Sequence, residues 1–197
     1  MEENNSNQLA TLQGFSMFQR PPKTGIKYFD EPVKIKFNCA GKGQMTDSQD
    51  NHIGNTMKMI VLNNKKMHAS LFKYDPTIWQ EIIFVDERDT VCVTLIKGES
   101  LTHFQNCLRN IYLGDLAIAE ATITAKFASR TNSNNQSYSV VEFSWEKTAD
   151  ERTSLIAEFV KKNPLVMVYS YLDELTQGNN RHEREDILDE DQIREKD

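Results

Sequence analysis

Between Ala117 and Lys147 the chain alternates apolar and polar residues on both sides of a loop built only of Arg, Thr, Asn, Ser and Gln. In the first arm Ile123, Ala125 and Phe127 alternate with Thr122, Thr124 and Lys126; in the second, Tyr138, Val140, Glu142 and Ser144 alternate with Ser139, Val141, Phe143 and Trp145. A period of two, carried by β-branched and aromatic residues, is the pattern of a half-buried strand pair. The loop Arg130–Gln136 has no apolar residue, so its tip is expected in water. The stretch therefore predicts a long β-hairpin ending in a polar finger, a shape suited to clasping a flexible polymer and equally to an ordinary surface hairpin.

The rest of the chain is read around that hairpin. Residues 1–25 form a flexible leader, and Arg20-Pro21-Pro22-Lys23-Thr24-Gly25 breaks any regular structure. Val33, Ile35 and Phe37 alternate with Lys34, Lys36 and Asn38 in a first strand with one apolar and one basic face. Ala40–Asn55, rich in Gly, Asp and Asn, reads as a long loop. Thr56–Leu62 and Lys66–Tyr74 read as a hairpin turning at Asn63-Asn64-Lys65, because Asn tolerates the left-handed backbone of tight turns. Trp79–Val85 and Thr90–Ile96 form another pair around Asp86-Glu87-Arg88-Asp89. Ser100 is a candidate cap for a helix to about Leu113, with Leu101, Phe104, Leu108 and Ile111 on one stripe. After the central hairpin, Thr148 or Asp150 caps a second helix over Glu151–Lys162, which Asn163-Pro164 stops. Leu165–Leu175 is open between strand and helix.

Net charge is −6, unevenly placed. Tyr171–Asp197 holds ten carboxylates against four Lys/Arg, whereas Pro21–Tyr74 holds nine Lys against four acids. Residues 178–197, charged and poor in apolar side chains, are expected to form a disordered acidic tail, leaving 26–177 as a single domain. No run approaches the roughly 20 apolar residues that span a bilayer, and the N-terminus lacks the plan of a signal peptide. A cytosolic protein without membrane contact is expected.

Strand, hairpin, hairpin, helix, hairpin, helix predicts a β-rich α+β fold: a small twisted β-barrel with two helices. The run Thr90–Ile96, Ser100–Leu113, Ala121–Ser129, Tyr138–Trp145 places a helix between third and fourth strands and a hairpin after it. In this order the chain resembles the OB fold of single-stranded-DNA-binding proteins, over roughly Val33 to Trp145. Bacterial members of that family carry an acidic tail that recruits partners. This chain's tail ends Ile193-Arg194-Glu195-Lys196-Asp197, without the family's Pro-Phe tip.

Catalytic and metal chemistry find little to stand on. Cys39, Cys92 and Cys107 form no CxxC and are expected as buried free thiols. The four His residues show no metal-ligand spacing. Asp86, Glu87 and Asp89 read as a solvated turn. In Ala40-Gly41-Lys42-Gly43-Gln44-Met45-Thr46 a single residue separates the glycines, too few for a phosphate loop. A non-enzyme without cofactor or metal is expected.

A single-strand binder needs cations along a groove and aromatic faces for bases, each stacked base contributing about 1–3 kcal/mol. Lys34, Lys36, Lys58, Phe72, Lys73 and Tyr74 supply that mixture in the basic half. Lys126, Phe127, Arg130 and Tyr138 supply it on the central hairpin. The same aromatics also read as core, with the lysines solvating the opposite face. The expected function is non-catalytic binding of single-stranded DNA or RNA. A structural or protein-interaction module of a phage- or plasmid-type assembly is the alternative. Recruitment of a protein by the acidic tail, and homo-oligomerisation, are both left open.

Overall fold

The computed structural model describes residues 25–176 other than Asp30, Gly41 and Lys73. The leader, apart from Gly25, and the tail at 178–197 lie outside the described residues. The main body is a six-stranded mixed sheet in the order β1-β7-β6-β5-β8-β9. Its strands are β1 (Val33–Lys34), β5 (Thr56–Ala69), β6 (Thr77–Asp86), β7 (Val91–Lys97), β8 (Ala121–Thr131) and β9 (Ser137–Lys147). β1 runs parallel to β7 and every other pairing is antiparallel. A second sheet is formed by β2 (Lys36–Asn38), β3 (Gln44–Thr46) and β4 (His52–Gly54). The helices are α1 (Gly98–Leu113), α2 (Asp150–Lys162) and the short α3 (171–176).

The hairpin β8–β9 forms as its alternation predicts, paired from Ala121↔Lys147 out to Thr131↔Ser137. Inward-facing Ile123 and Ala125 are buried. β6 and β7 are buried along nearly their whole length because both faces of the sheet are covered. Ile82, Phe84, Cys92 and Ile96 share one face with Phe104, Cys107 and Ile111 of α1 and with Met45 and Ile35. Ile83, Val85, Val91 and Val93 point the other way, onto Val166, Phe159, Ile26 and Tyr28. Cys92 and Cys107 are buried free thiols, and burial pushes them up to about 12 and about 11. They pack as small apolar side chains, with thiolates strongly disfavoured.

Several expectations are corrected. Asn63-Asn64 makes no turn: β5 is a single 14-residue strand whose register with β6 shifts between Val61 and Asn63. The asparagines mark a bulge, where one extra residue is absorbed and pairing continues to Ala69↔Thr77. The loop expected over 40–55 contains β3 and β4, too short and too polar to leave a periodic signature. Ser100 lies inside α1 and does not cap it; its buried Oγ accepts a hydrogen bond from Val141 N (3.0 Å), tying the helix to β9. α2 starts after Ala149 without a side-chain cap. The segment open between strand and helix forms a 3-10 turn at Pro164–Met167 and then α3, with no strand. Finally, the main sheet does not close into a barrel. β1 is two residues long, and after Ile35 bonds to Val93 O (2.9 Å) the chain departs into the small sheet. Across the gap that remains, Ser139 N donates to Cys39 O (3.1 Å).

Candidate nucleic-acid interface

Where the chain crosses from β7 towards β9, it leaves an open cleft of about 800 Å³. One wall is β2 with Ile35, another is the start of β9, and a third is the 70–76 connection between β5 and β6. The floor is the end of β7 and the first turn of α1, from Leu95 to Ser100. β7 runs into α1 with no residue between them, a sharp change of direction made at Gly98 with φ +59°.

The walls of this cleft are aromatic. Phe72 and Tyr74 are 55% and 52% exposed, far more than large rings placed for packing. Both lean on the buried Trp79, edge-on at 5.7 Å and tilted at 6.0 Å between centroids. Phe72 holds φ +54°, a left-handed backbone that turns the connection sharply. Tyr138 and Tyr171 complete the aromatic lining. Tyr138 donates its hydroxyl proton to Glu99 Oε2 (3.0 Å), which together with His103 and Arg130 holds the Glu99 carboxyl below the usual range.

The cations of the cleft are Lys36 and Lys97. Lys36 pairs with Asp50 at 2.8 Å, both side chains well exposed. Lys97 Nζ stands 2.8 Å from the centroid of Tyr74 and 4.9 Å from that of Trp79, and burial lowers its pKa. Lys34 lies alongside, bonded to Glu174 at 2.9 Å and 4.7 Å over the Tyr171 ring. Burial opposes its charge, but the hydrogen bond and charge of Glu174 outweigh this and raise the pKa. Exposed ion pairs of this kind contribute about 0–1 kcal/mol each, so a phosphate can replace the carboxylate at little cost.

Of the ten residues expected at a binding face, Lys36, Phe72, Tyr74 and Tyr138 are brought together here, with Lys34 beside them. Lys73 lies outside the described residues. Lys58 stands apart on β5, bonded to Glu146 of β9 at 2.8 Å. Lys126 is exposed on β8 opposite Glu142. Arg130 is held between Glu142 and Glu99, and these contacts raise its pKa, that of Glu142 foremost. Phe127 is a core contact, its ring edge-on to Phe37 at 6.3 Å. Sequence reasoning missed Lys97, Trp79 and Tyr171. Lys97 and Tyr171 sit at an element's end, where period-two patterning reports on neither face, and Trp79, third in β6, is buried as a core side chain.

No family model, curated protein or solved structure matches the chain.

Proposed function

We propose that this protein binds single-stranded DNA non-catalytically, laying the strand in the cleft between β7, the 70–76 connection and the start of β9. The observation that carries the reading is the joint exposure of Phe72 and Tyr74 in a cleft that also presents Lys36 and Lys97. Aromatic faces accept any base, and lysines follow the backbone without reading sequence. The topology supports the same reading. Counted from β5, α1 falls between the third and fourth strands and β8–β9 is the fourth–fifth hairpin. That is the order of the OB fold, whose second and third strands and flanking loops bind oligonucleotides. On this reading the open sheet is an OB-like barrel, splayed where the small sheet stands between β7 and β9.

Anisotropy titration with labelled single-stranded DNA, single-stranded RNA and duplex, each at two salt concentrations, tests the proposal. Expected is salt-dependent binding that favours single strands over duplex. Equal or tighter binding of RNA would reassign the polymer, and no binding at low salt would overturn the reading. A protein-interaction role is the second reading, favoured by the exposure of Leu165 and Val168 after α2. It predicts a stable complex or oligomer and no response to salt.

A further inference from the structure

The cleft holds a cation in the place where a base would stack. Lys97 Nζ lies over the Tyr74 ring and close to Trp79, so the amine covers part of the aromatic lining. Among the described residues Lys97 forms no ion pair with a carboxylate, unlike Lys34 and Lys36. Its partners are rings, and a cation–π contact on a partly exposed ring is weaker than a charge-assisted hydrogen bond to phosphate. The neighbouring Gly98 leaves open space: a Cβ there would meet nothing within 4 Å. Behind the rings, the indole Nε1 of Trp79 is buried without an acceptor among the described residues. Solvent does not reach this nitrogen, so Trp79 backs the ring face and does not itself bond a ligand in the cleft.

We propose that Lys97 is a ligand-displaced cover: a backbone phosphate draws its ammonium off Tyr74, and the vacated ring face takes the base attached to that phosphate. The inference rests on the nucleic-acid reading and deepens it by naming the smallest ligand, a phosphate and a base presented together. A nucleoside cannot compete for the amine, and a polyanion without bases has nothing to place on the ring. Phosphate contact and stacking are thereby coupled through one side chain.

The test compares the parent with Lys97→Met, which keeps the apolar stem and loses the charge, and with Lys97→Arg. The probe is a labelled oligothymidylate, with the methylphosphonate oligomer of the same sequence as its uncharged counterpart. Expected for Lys97→Met is a salt slope shallower by roughly 0.7 and, near ~0.1 M salt, about fivefold weaker binding, since one phosphate contact is lost. Lys97→Arg should restore the slope. In a Trp145→Phe background, where Trp79 is the remaining indole, the charged oligomer should shift the emission and the methylphosphonate should not. If the parent binds and Lys97→Met binds with an unchanged slope, the cover is overturned while the binding reading stands. An equal emission shift with both oligomers overturns the coupling. If the parent does not bind at low salt, both readings fall together. Should Trp145→Phe not fold, the slopes of the three remaining proteins decide the question.

Discussion

Gly43 rests its backbone against the ring of Phe127: a Cβ built on it would lie 2.7 Å from Phe127 Cγ and 2.8 Å from Ser139 Cβ. The small sheet is seated on the central hairpin through this contact, and the ring that resembled a stacking platform is thereby covered. Gly43 also holds φ +71°, where a side chain is strained. Gly43→Ala should destabilise the protein by about 1–3 kcal/mol through overpacking, with about 1–2 kcal/mol more from the left-handed backbone. Gly98→Ala carries the backbone cost alone, since it has open space. Urea unfolding of the two variants should therefore rank Gly43→Ala as the more damaging; the reverse order would mean the small sheet is not seated as described.

Phe104 and Phe159 separate the two helices energetically. Phe104 of α1 is fully buried, with Phe143 at 5.1 Å between centroids, and Phe104→Ala should cost about 3–5 kcal/mol. Phe159 of α2 is only half-buried, edge-on to Tyr28 at 6.0 Å on the opposite face of the sheet. Phe159→Ala should cost less than half as much. Thermal unfolding of both variants checks the ranking, and equal losses would contradict it.

Glu81 gives stability an unusual pH dependence. Its buried carboxylate accepts the backbone N–H of Leu172 (2.8 Å) at the start of α3, and burial raises its pKa above 4.5. The folded chain therefore holds this proton more tightly than the unfolded one. Its contribution to stability is fully present below the ordinary glutamate range and is lost as pH rises through the raised value. Asp173 behaves oppositely: its hydrogen bond from Lys65 lowers its pKa below 3.8. The stability it lends is present above that value and lost as pH falls through the lowered one. Glu81→Gln should flatten the upper part of the pH–stability curve and leave the acid limb in place, whereas Glu81→Ala should cost about 1–3 kcal/mol at neutral pH by orphaning a buried N–H. An unaltered pH curve for Glu81→Gln would refute the assignment.

If the cleft binds single strands as proposed, its two classes of residue should separate. Phe72→Ala and Tyr74→Ala should each weaken single-strand binding by about 1–3 kcal/mol with little change in salt slope, because stacking displaces no counterions. Lys36→Ala should make the slope shallower by roughly 0.7. Lys126→Ala, remote from the cleft, serves as the comparison. Slopes lost equally at Lys36 and Lys126 would bring the finger back into the binding face.

Legibility from sequence followed the length of the pattern. Alternation over Ala121–Ser129 and Tyr138–Trp145 predicts the hairpin that forms as β8–β9, two residues longer at the loop side of β8, and the stripe of Leu101, Phe104 and Ile111 located α1 to within two residues. Asn63-Asn64 carried a true signal of local irregularity, but the size of that irregularity was set by pairing with β6, which local residues do not encode. Barrel closure likewise depended on where two residues of β1 lead the chain. The cleft was half legible: Phe72, Tyr74, Lys36 and Tyr138 stood out as aromatic or basic residues on polar stretches. Lys97 and Trp79 did not, because their pairing across β6 and β7, residue opposite residue, is a tertiary fact.

Among the described residues β5 has backbone partners on one side only beyond its first few positions, since β8 pairs with it over Thr56–Met59 and then diverges. This stretch is fastened by residues that follow α2. Asn63 Nδ2 donates to Met167 O (2.7 Å), and Lys65 reaches Ser170 and Asp173. An uncovered strand edge of this length would be a template for a neighbouring molecule's strand. Stitched to Asn63 and Lys65 by side chains and seated on the face of the sheet by Val166 and Leu172, the segment 164–176 works as a selvedge, the bound margin that stops a woven cloth from fraying, and trimming the chain back to α2 should loosen the outer reach of β5 first.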